Sequence, residues 1–258
     1  LQPQLTRDLS GDLVEIDKWI ISEAIKLDKE VQNLNDEFAY HHVVQKIHNF
    51  CVHELGGVYL DIIKDRMYVT KSDSYARRSA QFALFEIADI LIRLISPILV
   101  FTAEEIWQSH ELFKKQAVSI FTAPKKVLSK IESSISDQDW KKTFAIKDAV
   151  NQSIEKARAD SVIKGSLDSK IRIECDKETF KALQKIEGEL KFVFISSEVE
   201  IIESSNSKLD IQVTNLDQKK CIRCWNKCSS VGLHLEDPEI CSRCYTNVYG
   251  DGEIRKFV

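Results

Sequence analysis

Cys221 and Cys224 form one CxxC pair near the end of the chain, and Cys241 and Cys244 form a second, with sixteen residues between them. A CxxC pair puts two thiolates on one ion from a tight turn, and a second pair returned by a loop completes a tetrahedral shell. The favoured ion is a single Zn²⁺, held about 2.3 Å from each sulfur. Four protein ligands leave no open position for water or substrate, so the site is expected to be structural. An iron–sulfur cluster also takes four thiolates, and spacing alone does not separate the two. Disulfides are disfavoured by an odd total of seven cysteines and by the lack of a secretory leader. Cys228, four residues after Cys224, reads as a spectator, a substitute ligand or an oxidation-prone thiol. The four cysteines of the matching halves are taken as ligands. Cys51 and Cys175 read as small buried hydrophobes.

Other chemistry is sparse. Neither GxGxxG nor GxxxxGK[ST] occurs, nor HExxH or GxSxG. No pair of carboxylates stands out as an acid/base dyad, so the chain itself is expected to be non-catalytic. His41, His42, His48 and His53 fall on one expected helix and read as hydrogen-bonding or solvent-facing groups. The net charge of −4, with 43% hydrophobic and 29% charged residues, describes a globular chain with no general attraction for nucleic acid. The longest apolar stretch, Ile90 to Phe101, is interrupted by Arg93, Ser96 and Pro97. It falls short of the ~20 residues that span a bilayer, so no membrane association is expected. The expected compartment is a reducing cytoplasm.

These cysteines must be positioned by a mainly α chain. Leu13, Ile16, Ile20, Ala24, Leu27, Val31 and Leu34 recur at steps of three and four, one stripe of a helix that Ser10 would cap. A second helix is predicted from Asp36 to Leu55, with Phe38, Val44, Ile47, Cys51 and Leu55 inward. Gly56-Gly57 should break or kink it before a pattern resumes over Val58–Met67. A third spans Ser74–Ile95, ended by Pro97. Thr102 and Glu105 read as a capping box for a short helix carrying Ile106 and Trp107. Phe121–Ser136 reads as a linker, and Asp137–Asp160 as a further helix. The period then changes: Lys170–Cys175 alternates as a half-buried strand does. Thr179–Leu190 reads as helix, Phe192–Ile202 and Leu209–Val213 as strands. The expected organisation is a helical bundle over 1–120, a linker and helical extension over 121–165, a small α+β unit over 166–215, and a four-cysteine zinc-finger module over 216–258. A module that small buries little apolar surface, so metal must supply the missing stability.

Several segments carry a family resemblance. YLDIIKDRMY (Tyr59–Tyr68), ARRSAQ (Ala76–Gln81) and SPILVFTAEEIW (Ser96–Trp107) resemble the anticodon-binding domain of class I aminoacyl-tRNA synthetases. EKARADSVIKGSL (Glu155–Leu167), KCIRCW (Lys220–Trp225) and ICSRCYTNVYGDGEIRKF (Ile240–Phe257) resemble the C-terminal portion of bacterial-type isoleucyl-tRNA synthetases. The resemblance implies a tRNA-binding part of an ATP-dependent isoleucine–tRNA ligase, monomeric, whose partner is the anticodon stem-loop of an isoleucine tRNA. The family's HIGH and KMSKS signatures are absent, as are a Rossmann-type segment and an editing domain. The N-terminal catalytic and editing domains are therefore expected elsewhere in the same polypeptide, and a first residue that is not methionine agrees with a fragment.

Recognition of unstacked loop bases needs aromatic or guanidinium planes on a rigid support. Arg223 and Trp225 flank Cys224 and are the expected contacts, although Trp225 reads equally well as packing over the metal. Lys64, Arg66, Arg77 and Arg78 are candidate backbone contacts, against the plainer reading of solvated faces paired with Asp61 and Asp65. Lys219, Lys220, Arg243, Arg255 and Lys256 cluster near the cysteines. Residues 216–258 hold seven basic and six acidic side chains, and a zinc–tetrathiolate centre adds about −2, so shape and stacking must carry recognition. The alternatives are the zinc-finger DNA-binding part of a DNA-repair glycosylase and a zinc-stabilised protein interaction module. The glycosylase reading lacks the required proline and acid at the start: Pro3 is followed by Gln4, with no acid before Asp8.

Overall fold

The computed structural model describes residues 13–126, 131–204 and 208–258. The predicted cap Ser10 lies outside them. The elements run α1 (Glu15–Asp36), α2 (Tyr40–Phe50), a π-helical segment (Cys51–Tyr59), α3 (Leu60–Val69), α4 (Tyr75–Ile95), α5 (Val100–Ser109) and α6 (Glu111–Lys114). There follow α7 (Asp137–Ala159), β1 (Ser169–Cys175), α8 (Lys177–Gln184), α9 (Leu190–Val193), β2 (Glu198–Glu203), β3 (Asp210–Asn215) and α10 (Ser242–Tyr249). The chain is mainly α, as expected. It divides into two compact units, one running through Asp61 and again over Arg78–Ser133, the other comprising Ile62–Arg77 and Ser134–Val258.

In the first unit α1 buries the stripe its period implied: Ile16, Ile20, Ala24, Leu27 and Val31 are all buried. No side chain caps its N-terminus; the Val14 amide is taken by Ser79 Oγ at 2.9 Å. Asp17, fully buried in the first turn, accepts hydrogen bonds from Tyr59 Oη (2.7 Å) and from Ser79 Oγ. A carboxylate there also suits the positive end of the helix. The inward side of α2 is Val43, Ile47 and Phe50; Phe38 (76% exposed) and Val44 face outward, against expectation. Phe38 has left the helix at φ 57°, which shifts the facing register.

Gly56-Gly57 does not break the helix but widens it. The Leu60 amide bonds to the Leu55 carbonyl, five residues back, so α2 runs through the π-helical segment into α3. A Cβ at Gly56 would lie 2.9 Å from the Cys51 carbonyl oxygen and one at Gly57 3.1 Å from that of Val52. The glycines let the wide turns close where a side chain would crowd backbone. The expected capping box at Thr102 does not form: α5 opens two residues earlier, at Val100, with no side-chain cap. Its Trp107 is fully buried among Ile92, Ala103, Phe113 and Ile120, and it stacks on Phe113 at 5.2 Å.

In the second unit, Ser136 and Asp139 form a reciprocal capping box that starts α7 where the sequence placed it. The sheet order is β2-β1-β3, with β1 parallel to β2 and antiparallel to β3. Ile171, Ile173 and Cys175 bury the apolar face of β1, as the alternation required. α7 packs on α8 and β3, and α8 on β2. The strand expected over Phe192–Ile202 begins only at Glu198. Phe192 and Val193 lie in the short helix α9, and Ile195 turns the chain at φ 52°. A short apolar run buried on all sides reads alike as strand or helix.

Candidate metal centre

Cys221 and Cys224 enter on a tight turn in which the Trp225 amide bonds back to the Cys221 carbonyl (2.9 Å) and the Cys221 amide to the Asn226 carbonyl (2.9 Å). Cys241 stands at the N-terminus of α10 and Cys244 in its first turn. All four are buried, and their sulfurs lie within 4.8 Å of one another. The Sγ atoms of Cys221 and Cys244 are 3.7 Å apart, those of Cys224 and Cys241 3.8 Å. A tetrahedron with metal–sulfur bonds of about 2.3 Å has edges of about 3.8 Å, so the donor set fits zinc. The Cys241 amide points at Cys221 Sγ at 3.3 Å, a donor that would steady a thiolate. Crowding sets the thiols against one another. Hydrogen bonds from Cys241 and Cys244 draw the Cys224 thiol far down, while the bond to Cys224 pushes Cys241 up to about 12 and Cys244 up as well. A cation is what allows all four to ionise together. Cys228 stands outside this group, its sulfur 3.5 Å from Ser230 Oγ.

The knuckle is fixed to its own unit from several directions. Val69 packs into the cysteine cluster. Arg243 forks onto Asp65 (2.7 and 2.8 Å) and reaches Glu253 (3.2 Å). Arg255 bonds to Asp65 (2.7 Å), Glu253 (3.1 Å) and the Val258 carbonyl (3.2 Å), with its guanidinium carbon 3.1 Å from the Phe192 ring centre. Burial alone would raise the Asp65 carboxyl, but hydrogen bonds and charge from Arg243, with charge from Arg255, hold it below the usual carboxylate range. Glu189 accepts the backbone amides of Lys256, Phe257 and Val258 at 2.7–3.1 Å. The Lys227 amide donates to Ser197 Oγ (2.7 Å), and Lys220 Nζ lies 3.2 Å from Asp168. Arg243 and Arg255, grouped by sequence with the cations near the cysteines, are thus largely buried and committed to internal acids.

The other residues singled out from sequence separate. Arg223 is half-buried and donates from Nη1 to the Val69 carbonyl (2.6 Å), satisfying one of the open carbonyls at the end of α3. Trp225 is 64% exposed, at φ 63°. That left-handed backbone is unusual for a bulky residue, and the CxxC turn imposes it. Arg66 is 1% exposed, inside the unit, which removes it from the candidate surface. Lys64 is exposed and Arg77 half-buried in this same unit. Arg78 belongs to the first unit, where it donates to Gln81 (3.0 Å). The sequence reading missed Tyr68, next to Val69 and 78% exposed. No local sequence pattern signals it, because its exposure follows from Val69 packing into the cysteine cluster.

Residues 17–173, more than half of the chain, match the family model described as the anticodon-binding domain of tRNA ligase. Residues 218–247 match that of a zinc finger found in FPG and IleRS. Similar curated proteins include the isoleucine–tRNA ligases of Alcanivorax borkumensis (42% identical over 95% of this chain), Pseudoalteromonas translucida (38% over 99%) and Stutzerimonas stutzeri (39% over 96%). The chain spans 27–28% of the length of these relatives. Among the described residues, no helix is long and apolar enough to cross a membrane. The chain belongs to the family of anticodon-binding domains of tRNA ligases.

Proposed function

We propose that this chain is the tRNA-gripping part of an isoleucine–tRNA ligase. In this reading one structural Zn²⁺ is held by Cys221, Cys224, Cys241 and Cys244, and it supplies the cross-link that orders the knuckle. Trp225 offers a ring on which an unstacked anticodon-loop base lies, and Arg223 directs its remaining N–H groups to a phosphate or base edge. Lys64 and Arg77 meet the backbone of the stem. ATP-dependent transfer of isoleucine belongs to catalytic and editing parts of the same polypeptide, working as a monomer in the cytoplasm. One observation carries the reading: a tryptophan held in a left-handed backbone and left 64% exposed beside the cysteine cluster. The CxxC turn sets that conformation, and it leaves the ring open to a base. The helical match over residues 17–173 favours this reading over the DNA-repair one.

The test is a gel-shift titration with isoleucine tRNA, a tRNA of another specificity, and duplex DNA, at several salt concentrations. The reading requires preference for isoleucine tRNA, lost when its anticodon is altered, with affinity falling as salt rises. Equal binding to all three nucleic acids contradicts it.

A further inference from the structure

We infer that Tyr68 is a second base-stacking residue, acting with Trp225 on the same single-stranded RNA loop; this rests on the anticodon-loop reading above. Val69 is 6% exposed and packs into the cysteine cluster. Successive residues on a helix point about 100° apart. With Val69 turned to the sulfurs, Tyr68 is turned to solvent, and it is 78% exposed. The Val69 carbonyl is also the acceptor for Arg223. From Tyr68 the path runs through Val69, across one hydrogen bond to Arg223, and through Cys224 to Trp225. Two exposed rings therefore belong to residues joined through one guanidinium contact, within a single compact unit.

Tyr68, on α3, differs from the tyrosines of the zinc module. Tyr245 donates to Glu236 (2.7 Å) and stacks on His234, and Tyr249 donates to Asp237 (2.9 Å). Among the described residues, no hydrogen bond or ring contact involves the Tyr68 side chain. An exposed ring near the C-terminus of α3 adds little to the core. Two exposed rings on residues joined through a guanidinium suit a loop whose bases are splayed apart, with the cation meeting the phosphate between them. The same features offer nothing to a closed duplex, whose bases present no free face.

The experiment uses the zinc-loaded chain and an anticodon stem-loop RNA of isoleucine tRNA, with the same stem closed as a plain duplex for comparison. Tyr68→Ala is expected to weaken stem-loop binding about 5- to 150-fold, the range of a lost base–aromatic stack. Tyr68→Phe should retain binding, and Tyr68→Leu should behave as the alanine variant. Zinc content and helicity report that the variants are folded. If Tyr68→Ala binds within twofold of the unsubstituted chain while Trp225→Ala weakens binding, the inference on Tyr68 fails and the anticodon-loop reading stands. If neither substitution matters, or the unsubstituted chain does not prefer the stem-loop to the duplex, both fail.

Discussion

The guanidinium of Arg243 makes a two-pronged contact with the Asp65 carboxylate, at 2.7 and 2.8 Å, joining the zinc module to α3 across 178 positions of sequence. Arg255 reaches the same carboxylate from the C-terminal peptide. Asp65 thus serves two arginines, and Glu253 completes a charge-balanced group against Phe192. Forked arginine–carboxylate contacts fix orientation as well as distance. The direction in which the knuckle presents Trp225 depends on this group.

Asp65→Asn is expected to destabilise the second unit by about 3 kcal/mol, the low end for breaking a largely buried pair. Denaturant unfolding followed by helicity measures this. The pH dependence follows the same group. Its folded-state value lies below the unfolded value of about 3.9, so the contribution is complete above about pH 4 and is lost as pH falls through the folded value. The Asp65→Asn variant should lack that acid-side loss. A variant as stable as the parent at pH 7 would contradict the assignment.

Cys228 lies outside the sulfur cluster, so Cys228→Ser should still bind one zinc per chain, while serine at Cys221 or Cys244 should abolish tight binding. Metal analysis of the purified variants checks this. Loss of zinc from Cys228→Ser would make it a ligand.

Trp225→Gly should separate folding from function. Release from the left-handed conformation is worth about 1–2 kcal/mol, and the added freedom of the unfolded chain costs about 0.4–1 kcal/mol. Stability should therefore hold or rise slightly, while stem-loop affinity falls by about 1–3 kcal/mol. Parallel unfolding and RNA titrations measure both. A large loss of stability would show that Trp225 is a packing residue.

The sequence made legible what local pattern encodes. The stripe of α1 and the alternation of β1 follow from burial on one face, and the four cysteines stand out because metal geometry constrains spacing. Four features were hidden. Gly56-Gly57 reads as a break, and only the backbone approach to Cys51 and Val52 shows why glycine is needed in a widened helix. The apolar run at Phe192 reads as strand because short runs buried on all sides carry no period. Arg243 and Arg255 read only as part of a basic cluster near the cysteines, because their acid, Asp65, lies far away in sequence. Nothing local marks Tyr68 as open; that depends on Val69 being claimed by the cysteines.

The most direct test of the central claim is a chelator titration in which zinc release, helicity and anticodon stem-loop binding are followed on one sample. The result expected is one zinc released per chain, RNA affinity lost in step with it, and most of the helicity retained. Undiminished RNA binding after complete metal removal would contradict the proposal that a zinc-ordered knuckle presents Trp225 to the loop.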